Sequence, residues 1–266
     1  MRIARFSVDG GSLSYGVVEG APGEETVEAL HAHPLVEPAR RTGEIVALRE
    51  VNLGAPVVPS KVVGIGKNYA DHVAEMKTQT GGDRPTSPLL FLKPSTAVTG
   101  PGAPILLPDD SEHVDYEGEL CVVIGKITRR VTPEDALDHI FGWTCGNDVS
   151  ARDQQQSDGQ WTRAKGHDSF CPLGPWIETD LDPFATRVTT TLDGAVVQDA
   201  PTSLLLFDVP TIISYVSHAM TLLPGDVIMT GTPAGVGPME HGQIVTVAIE
   251  GLGELTNPVV SLGAER

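Results

Sequence analysis

The chain has 266 residues, 40% of them hydrophobic, with 29 glycines and 21 prolines. That is long enough to bury a proper core, and it suits a turn-rich, largely β protein better than a helical bundle. A net charge of −17 argues against nucleic acid or an anionic membrane as partner, since both need clustered Lys and Arg.

In chain order, Arg2 and Arg5 are followed by Asp9 and glycines rather than by the apolar core of a signal peptide. No stretch approaches the roughly 18 consecutive apolar residues of a membrane helix. Residues 1–20 alternate as two short strands around Asp9-Gly10-Gly11, a hairpin signal. Residues 21–55 are polar with short apolar patches, and the composition tightens from Val57 onward. This places a boundary near residue 55, between a small N-terminal β-containing domain (1–55) and a main domain (56–266). Downstream, strands are predicted at 61–66, 89–92, 119–124, 187–193, 226–230 and 244–250. Helices are predicted at 69–77, at 133–139 with Thr132 as N-cap and Pro133 leading, and at 208–219. Strands outnumber helices without regular alternation, which excludes Rossmann and βα-barrel patterns and predicts a β-rich α+β fold. Cys121, Cys145 and Cys171 are too few and too scattered for a disulfide framework or a zinc cluster, so free thiols in a cytoplasmic protein are expected.

The stretch DYEGELCVVIGK (115–126) carries two carboxylates at the head of an apolar strand. Side chains two apart share a strand face, so Glu117, Glu119, Cys121 and Val123 point one way. Each carboxylate raises the cost of ionising the other, so that strand end is either wet or occupied by a cation. A third carboxylate, Asp148, follows the apolar run 140–145. Three carboxylates without His or Cys suit Mg²⁺ or Mn²⁺, although spacing alone also fits a solvated strand end with unrelated acids. In GIGKNYADHVAEM (64–76) the glycines invite a nucleotide reading. It fails, because Tyr69 stands where the dinucleotide pattern needs a third glycine and Lys61 where the phosphate loop needs its first. His72 and Glu75 are three apart on the predicted helix, either a general base with its orienting carboxylate or an exposed pair. Lys165, among small residues in 161–176, is either a fixed positive charge in a cleft or a surface lysine. The run GDVIMTGTPAGVG (225–237), with Thr230 and Thr232, is a strand entering a glycine loop able to hold an anion or merely to turn.

Together, GIGKNYADH…E, FLKPSTAV (91–98), DYEGELCVVIGK, GNDVSARDQQ, GQWTRAKGHDSFCPLGP and GDVIMTGTPAGVG resemble the fumarylacetoacetate hydrolase family, in its order and at its spacings, over residues 57–262. Residues 1–55 look like the small N-terminal domain of some bacterial members. The resemblance implies a mixed β-sandwich or β-roll catalytic domain and a homodimer. It places a Mg²⁺ or Mn²⁺ site on Glu117, Glu119 and Asp148, and a general-base dyad on His72 and Glu75. Contacts to substrate and oxyanion fall on Arg152, Gln155, Lys165 and Thr232, and Lys93 is a further motif residue. Gln154-Gln155-Gln156 leaves a register ambiguity of one residue, in which the spacing from Asp148 and Arg152 favours Gln155. The implied substrates are small 2-oxo or 2-hydroxy-dienoic carboxylates turned over through a metal-held enolate. The reaction expected is C–C hydrolysis of an acylpyruvate-like compound, or the related isomerisation or decarboxylation. A sugar-acid dehydratase of the same superfamily and a non-catalytic binder of metal and 2-oxo acids are the alternatives. Residues 76–88 are mobile by composition.

Overall fold

Strict alternation decides the centre of the molecule. A computed structural model describes residues 1–77 and 84–262, so 78–83, within the stretch expected to be mobile, lie outside the described residues. Gly118–Ile124 is a strand buried along its whole length. Leu120, Val122 and Ile124 pack into one apolar cluster with Val188, Ile212 and Val247. Cys121 and Val123 pack into a second, with Val62, Leu173 and Met229. The two-residue period sends alternate side chains to opposite faces, and here both faces are covered.

This strand pairs antiparallel with Ile140–Asn147 on one side and Val227–Met229 on the other. It lies inside a 12-stranded sheet whose order is 41–47, 26–30, 14–19, 2–8, 171–178, 140–147, 118–124, 227–229, 62–66, 89–93. Strands 51–54 and 98–99 add to it beside 2–8 and 171–178. A five-stranded sheet (195–201, 187–192, 244–249, 253–261, 105–107) covers the Leu120 face, and a three-stranded one (150–151, 114–116, 237–238) flanks the head of strand 118–124. Parallel and antiparallel pairs coexist, so the architecture is the β-rich, mixed α+β fold that the pattern predicts, carrying an N-terminal β portion. Cys121, Cys145 and Cys171 are free and buried on three adjacent strands.

The N-terminal strands are not set apart from this sheet. Ile3 pairs with Ile177 and Arg2 with Glu178, and Ile3, Val17 and Leu30 join the cluster of Val123 and Leu173. Within 21–55, a polar stretch with short apolar patches to which the sequence assigns no strand, lie three strands, Thr26–Leu30, Arg41–Ala47 and Val51–Gly54. Arg41–Ala47 is largely exposed and is held by pairing with Thr26–Leu30, which is tertiary support that no local pattern announces.

Helix Val209–Ala219 starts at Asp208, whose carboxylate accepts from the Thr211 N–H at 3.0 Å, with Pro210 in the first turn. This is the N-cap and first-turn proline chemistry of a helix start. Pro133–Ala136 is shorter than predicted and tightens into a 3₁₀ turn over 137–139. Thr132 flanks it as expected, but its hydroxyl meets Asp135 at 3.2 Å instead of capping a backbone N–H.

Candidate metal centre

Glu117 falls in the one-residue gap between strands Val114–Tyr116 and Gly118–Ile124. Register does the rest. Gly118 faces Asn147 and Glu119 faces Gly146, so the residue that follows the neighbouring strand, Asp148, arrives beside Glu117. Its N–H donates to the Glu117 carbonyl at 2.8 Å, while the Glu117 N–H donates to Asn147 Oδ1 at 2.8 Å. Carboxylate oxygens of Glu117, Glu119 and Asp148 all lie within 4.8 Å of one another, and the three residues are 3%, 2% and 1% exposed. The strand end is therefore not wet.

The chain supplies its own cations to this cluster, a possibility that the choice between water and a bound ion overlooks. Lys165, buried on helix Thr162–Gly166, donates to Glu117 Oε2 at 2.8 Å and to Asp148 Oδ2 at 2.6 Å. Arg152 binds Glu117 through Nη2, Asp115 Oδ2 through Nε at 2.7 Å, and Gln155 Oε1 through Nη1 at 2.9 Å. Lys93 donates to the carbonyls of Val149, Lys165 and Phe170 at 3.0, 2.7 and 2.7 Å, which commits its three protons. Asp148 Oδ1 stands 2.7 Å from the same ammonium but makes no hydrogen bond.

The charges do not cancel. Asp115, Glu117, Glu119 and Asp148 are set against Lys93, Arg152 and Lys165, all buried, which leaves one negative charge over. The excess shows in the protonation equilibria. Burial opposes ionisation of Glu117, yet the Arg152 and Lys165 charges outweigh it and hold this carboxyl far below the usual range. Burial, reinforced by the negative charges of Asp148 and Glu117, drives Glu119 well above it. Lys165 is pushed up, because Asp148 and Glu117 outweigh its own desolvation. A hard divalent cation fits this cluster: the donors are all oxygen, Asp148 Oδ1 lacks a hydrogen bond, and one negative charge is uncompensated.

His72 and Glu75 lie on helix Ala70–Lys77, with Nδ1 3.4 Å from Glu75 Oε2. The Glu75 carboxylate also accepts from the Gly235 N–H at 3.1 and 3.2 Å. Burial works against its ionisation, but His72 and the backbone N–H groups of Gly235 and Val236 prevail and lower its pKa. One cleft is lined by His72, Glu117, Glu119, Asp148, Arg152, Gln155, Lys165 and Thr232, with Ile65, Met76 and Trp161 as an apolar wall. Every site residue expected from the sequence thus borders it except Glu75, which stands behind His72. Gln155 lines the cleft, whereas Gln154 turns away to the Asp110 carbonyl and His167, at 3.1 and 2.7 Å. Thr232 lines it too, but its hydroxyl proton goes to the Gly118 carbonyl at 2.9 Å.

Sequence reasoning passed over Asp115, Trp161 and Asn68. Asp115 shows only as one more acid beside the E-x-E pair. Trp161 packs edge-on against Phe91, with centroids 5.5 Å apart, and a Cβ on Gly66 would stand 2.8 Å from its ring. Asn68 fixes the turn before the helix through Phe207 and Thr230, with bonds of 2.7 to 3.0 Å.

A buried all-oxygen cluster with a basic pair across one cleft is the architecture of a metal-assisted enzyme on a β-rich scaffold. Residues 61–260 match the family model described as fumarylacetoacetate (FAA) hydrolase C-terminal, and residues 1–56 match Rv2993c-like, N-terminal. The chain belongs to the fumarylacetoacetate hydrolase family. It is 52% identical over 269 residues to Protein Rv2993c of Mycobacterium tuberculosis, covering 99% of each chain. It is similar to the crystal structure of 2-hydroxyhepta-2,4-diene-1,7-dioate isomerase from Mycobacterium marinum, at a TM-score of 0.90 and 49% identity over 99% of each chain. Maleylpyruvate hydrolase from Sphingobium sp. SYK-6, in complex with manganese(II) and pyruvate, is similar at a TM-score of 0.79 and 32% identity, over 98% of this chain and 99% of that one. Among the described residues no helix is long and apolar enough to cross a membrane.

Proposed function

We propose that this chain is a Mg²⁺- or Mn²⁺-dependent enzyme of small 2-oxo carboxylates, cleaving a C–C bond of an acylpyruvate-like substrate by hydrolysis. The observation that carries the reading is the uncompensated negative charge of the buried Asp115, Glu117, Glu119 and Asp148 group, faced across the cleft by His72. The similar hydrolase crystallised with manganese(II) and pyruvate supports it. A bound Mg²⁺ or Mn²⁺ would supply Lewis acidity and a chelating point for neighbouring carboxylate and keto oxygens.

The chain's own groups divide the remaining work. Glu75, held ionised, keeps the proton of His72 on Nδ1, so Nε2 is the basic nitrogen that takes a proton from water. Lys165 donates two of its N–H groups to Glu117 and Asp148 and keeps the third for oxygen charge developing in the cleft. Gln155, its carbonyl bound to Arg152, turns its amide N–H groups to the same use. Ile65, Met76 and Trp161 keep bulk water from the apolar part of the substrate. With the ion present the buried charge becomes one positive in excess, which a substrate carboxylate neutralises.

The close full-length likeness to an isomerase structure favours a second reading, enol–keto isomerisation, in which His72 moves a substrate proton and activates no water. An assay panel of acylpyruvates, oxaloacetate, hydroxyheptadienedioate and sugar acids, run with Mg²⁺, Mn²⁺ or EDTA, tests both. Glu119→Gln should abolish metal-dependent turnover of every substrate in it; unaltered metal dependence in that variant would sink the metal assignment. His72→Ala should lower hydrolysis by roughly 10²–10⁴-fold, the usual worth of a general base, and spare decarboxylation of oxaloacetate. Equal losses in both reactions would count against water activation by His72.

A further inference from the structure

We propose that Gln198 is a positioning residue, a single side chain from the five-stranded sheet that sets both the metal glutamates and the loop that anchors the His72–Glu75 pair. This rests on the metal-site reading above and adds a residue that touches neither metal nor substrate.

The ladder between strands 118–124 and 227–229 reaches only as far as the Thr230 N–H, which donates to the Leu120 carbonyl at 3.1 Å. Beyond it the two strands part to open the cleft. Gly118, buried between Glu117 and Glu119, is left with a backbone N–H and C=O that no strand pairs on that side. Side chains take over. The Gly118 N–H donates to Gln198 Oε1 at 3.0 Å, Gln198 Nε2 donates to Thr232 Oγ1 at 2.8 Å, and the Thr232 hydroxyl donates to the Gly118 carbonyl at 2.9 Å. The ring closes on one residue, and the second Gln198 amide proton goes to the Pro233 carbonyl at 2.8 Å. A carbonyl can only accept and an N–H only donate, so the partners themselves fix which end of the amide is oxygen. Gln198 is 1% exposed, and both of its N–H groups and its carbonyl are engaged.

Two glycines make room for this contact between sheets. A Cβ on Gly118 would stand 2.1 Å from Thr190 Oγ1, and one on Gly235, whose φ is +100°, would stand 2.0 Å from the Val197 carbonyl. Strand 195–201 therefore presses on both ends of the 232–235 loop, and the Gly235 N–H is the donor that holds Glu75. One buried amide thus links the peptide between the two metal glutamates to the anchor of the His72–Glu75 pair. Groups that orient metal ligands from behind typically change metal affinity about 10–100-fold when removed.

The test titrates Mn²⁺ into the metal-free protein by calorimetry, well below Tm, and follows backbone amide exchange in the same metal-free samples. Gln198→Met, of similar shape and without the amide, should bind Mn²⁺ at least about 10-fold more weakly and exchange faster at Gly118, Gly231, Thr232, Ala234 and Gly235. Thr232→Val cuts the same ring and should do likewise, while Thr232→Ser restores the affinity. The double variant should lose little more than either single one, because both break one ring. If Gln198→Met does not fold, the Thr232 pair decides alone. Should the natural chain bind no Mn²⁺, the metal reading falls and this inference with it. Where it binds, and the variants bind within two-fold of it despite a lowered Tm, Gln198 is scaffolding and the inference alone is overturned.

Discussion

Glu119 is the carboxylate that least tolerates its own charge. Burial comes first, then the negative charges of Asp148 and Glu117, and one N–H, from Gly231 at 2.6 Å, works in the other direction. Without a metal, a carboxyl whose folded pKa is raised stabilises the fold fully below its ordinary value of 4.5, and that contribution disappears as pH rises through the raised value. Glu117 behaves in the opposite sense: its lowered pKa gives a contribution fully present above 4.5 and lost only as pH falls below that value. Between about pH 5 and 8, therefore, EDTA-treated protein should lose stability through Glu119 as pH rises, while the Tm gain on adding Mg²⁺ or Mn²⁺ grows. Thermal melts across that range check it, and Glu119→Gln should flatten the trend. An unchanged trend in the variant would contradict the assignment. At this scale the sequence is informative about chemistry and silent about context. Glu117, Glu119, Asp148, His72 and Lys165 stand out because each is a reactive group in a recurring motif. Asp115 and Gln198 do not, because an acid or an amide becomes a supporting group only when a chain segment more than thirty residues away folds over it.

Among the elements, legibility followed the density of apolar residues. Strands 62–66, 89–93, 118–124 and 244–249 appear within a residue or two of their predicted bounds. Each carries a run of β-branched or other apolar side chains that needs no outside help to read as extended. Cys171–Glu178 escaped notice although it is central and almost wholly buried, because Pro172, Gly174 and Pro175 punctuate it. Proline inside a strand argues against a central position. Here one neighbour touches it only briefly, at Cys171–Val98 and Pro172–Thr99, and the ladder to strand 140–147 shifts register between Trp143 and Cys145. Ala195–Pro201, which carries Gln198, was missed for another reason. Its solvent side is polar or exposed, and its buried members, Gln198 and Ala200, are an amide and a small residue. A strand whose inward face serves a polar ring does not alternate in hydropathy, so the element most tied to the site was the least visible.

Taken whole, the molecule sets the candidate metal centre where three sheets meet. The 12-stranded sheet supplies Glu119, the three-stranded sheet leads into Glu117, and the five-stranded sheet supports Gly118 between them. The small N-terminal domain proposed for residues 1–55 is continuous with this arrangement through the pairing of Ile3 with Ile177, two strands away from Gly118–Ile124. The buried thiols acquire a use from the same geometry. Cys121, Cys145 and Cys171 sit on neighbouring strands, Cys121 and Cys171 in the cluster on one face of the sheet and Cys145 in the cluster on the other, and burial raises the pKa of each, that of Cys171 to about 12. Closed, they are poor nucleophiles; opened to water, they react. A thiol reagent added to the native chain should therefore act as a clock for opening of the sheet beneath the site. Its reaction should be slow in the presence of Mn²⁺, faster in EDTA, and should reach three equivalents only when the central strands separate.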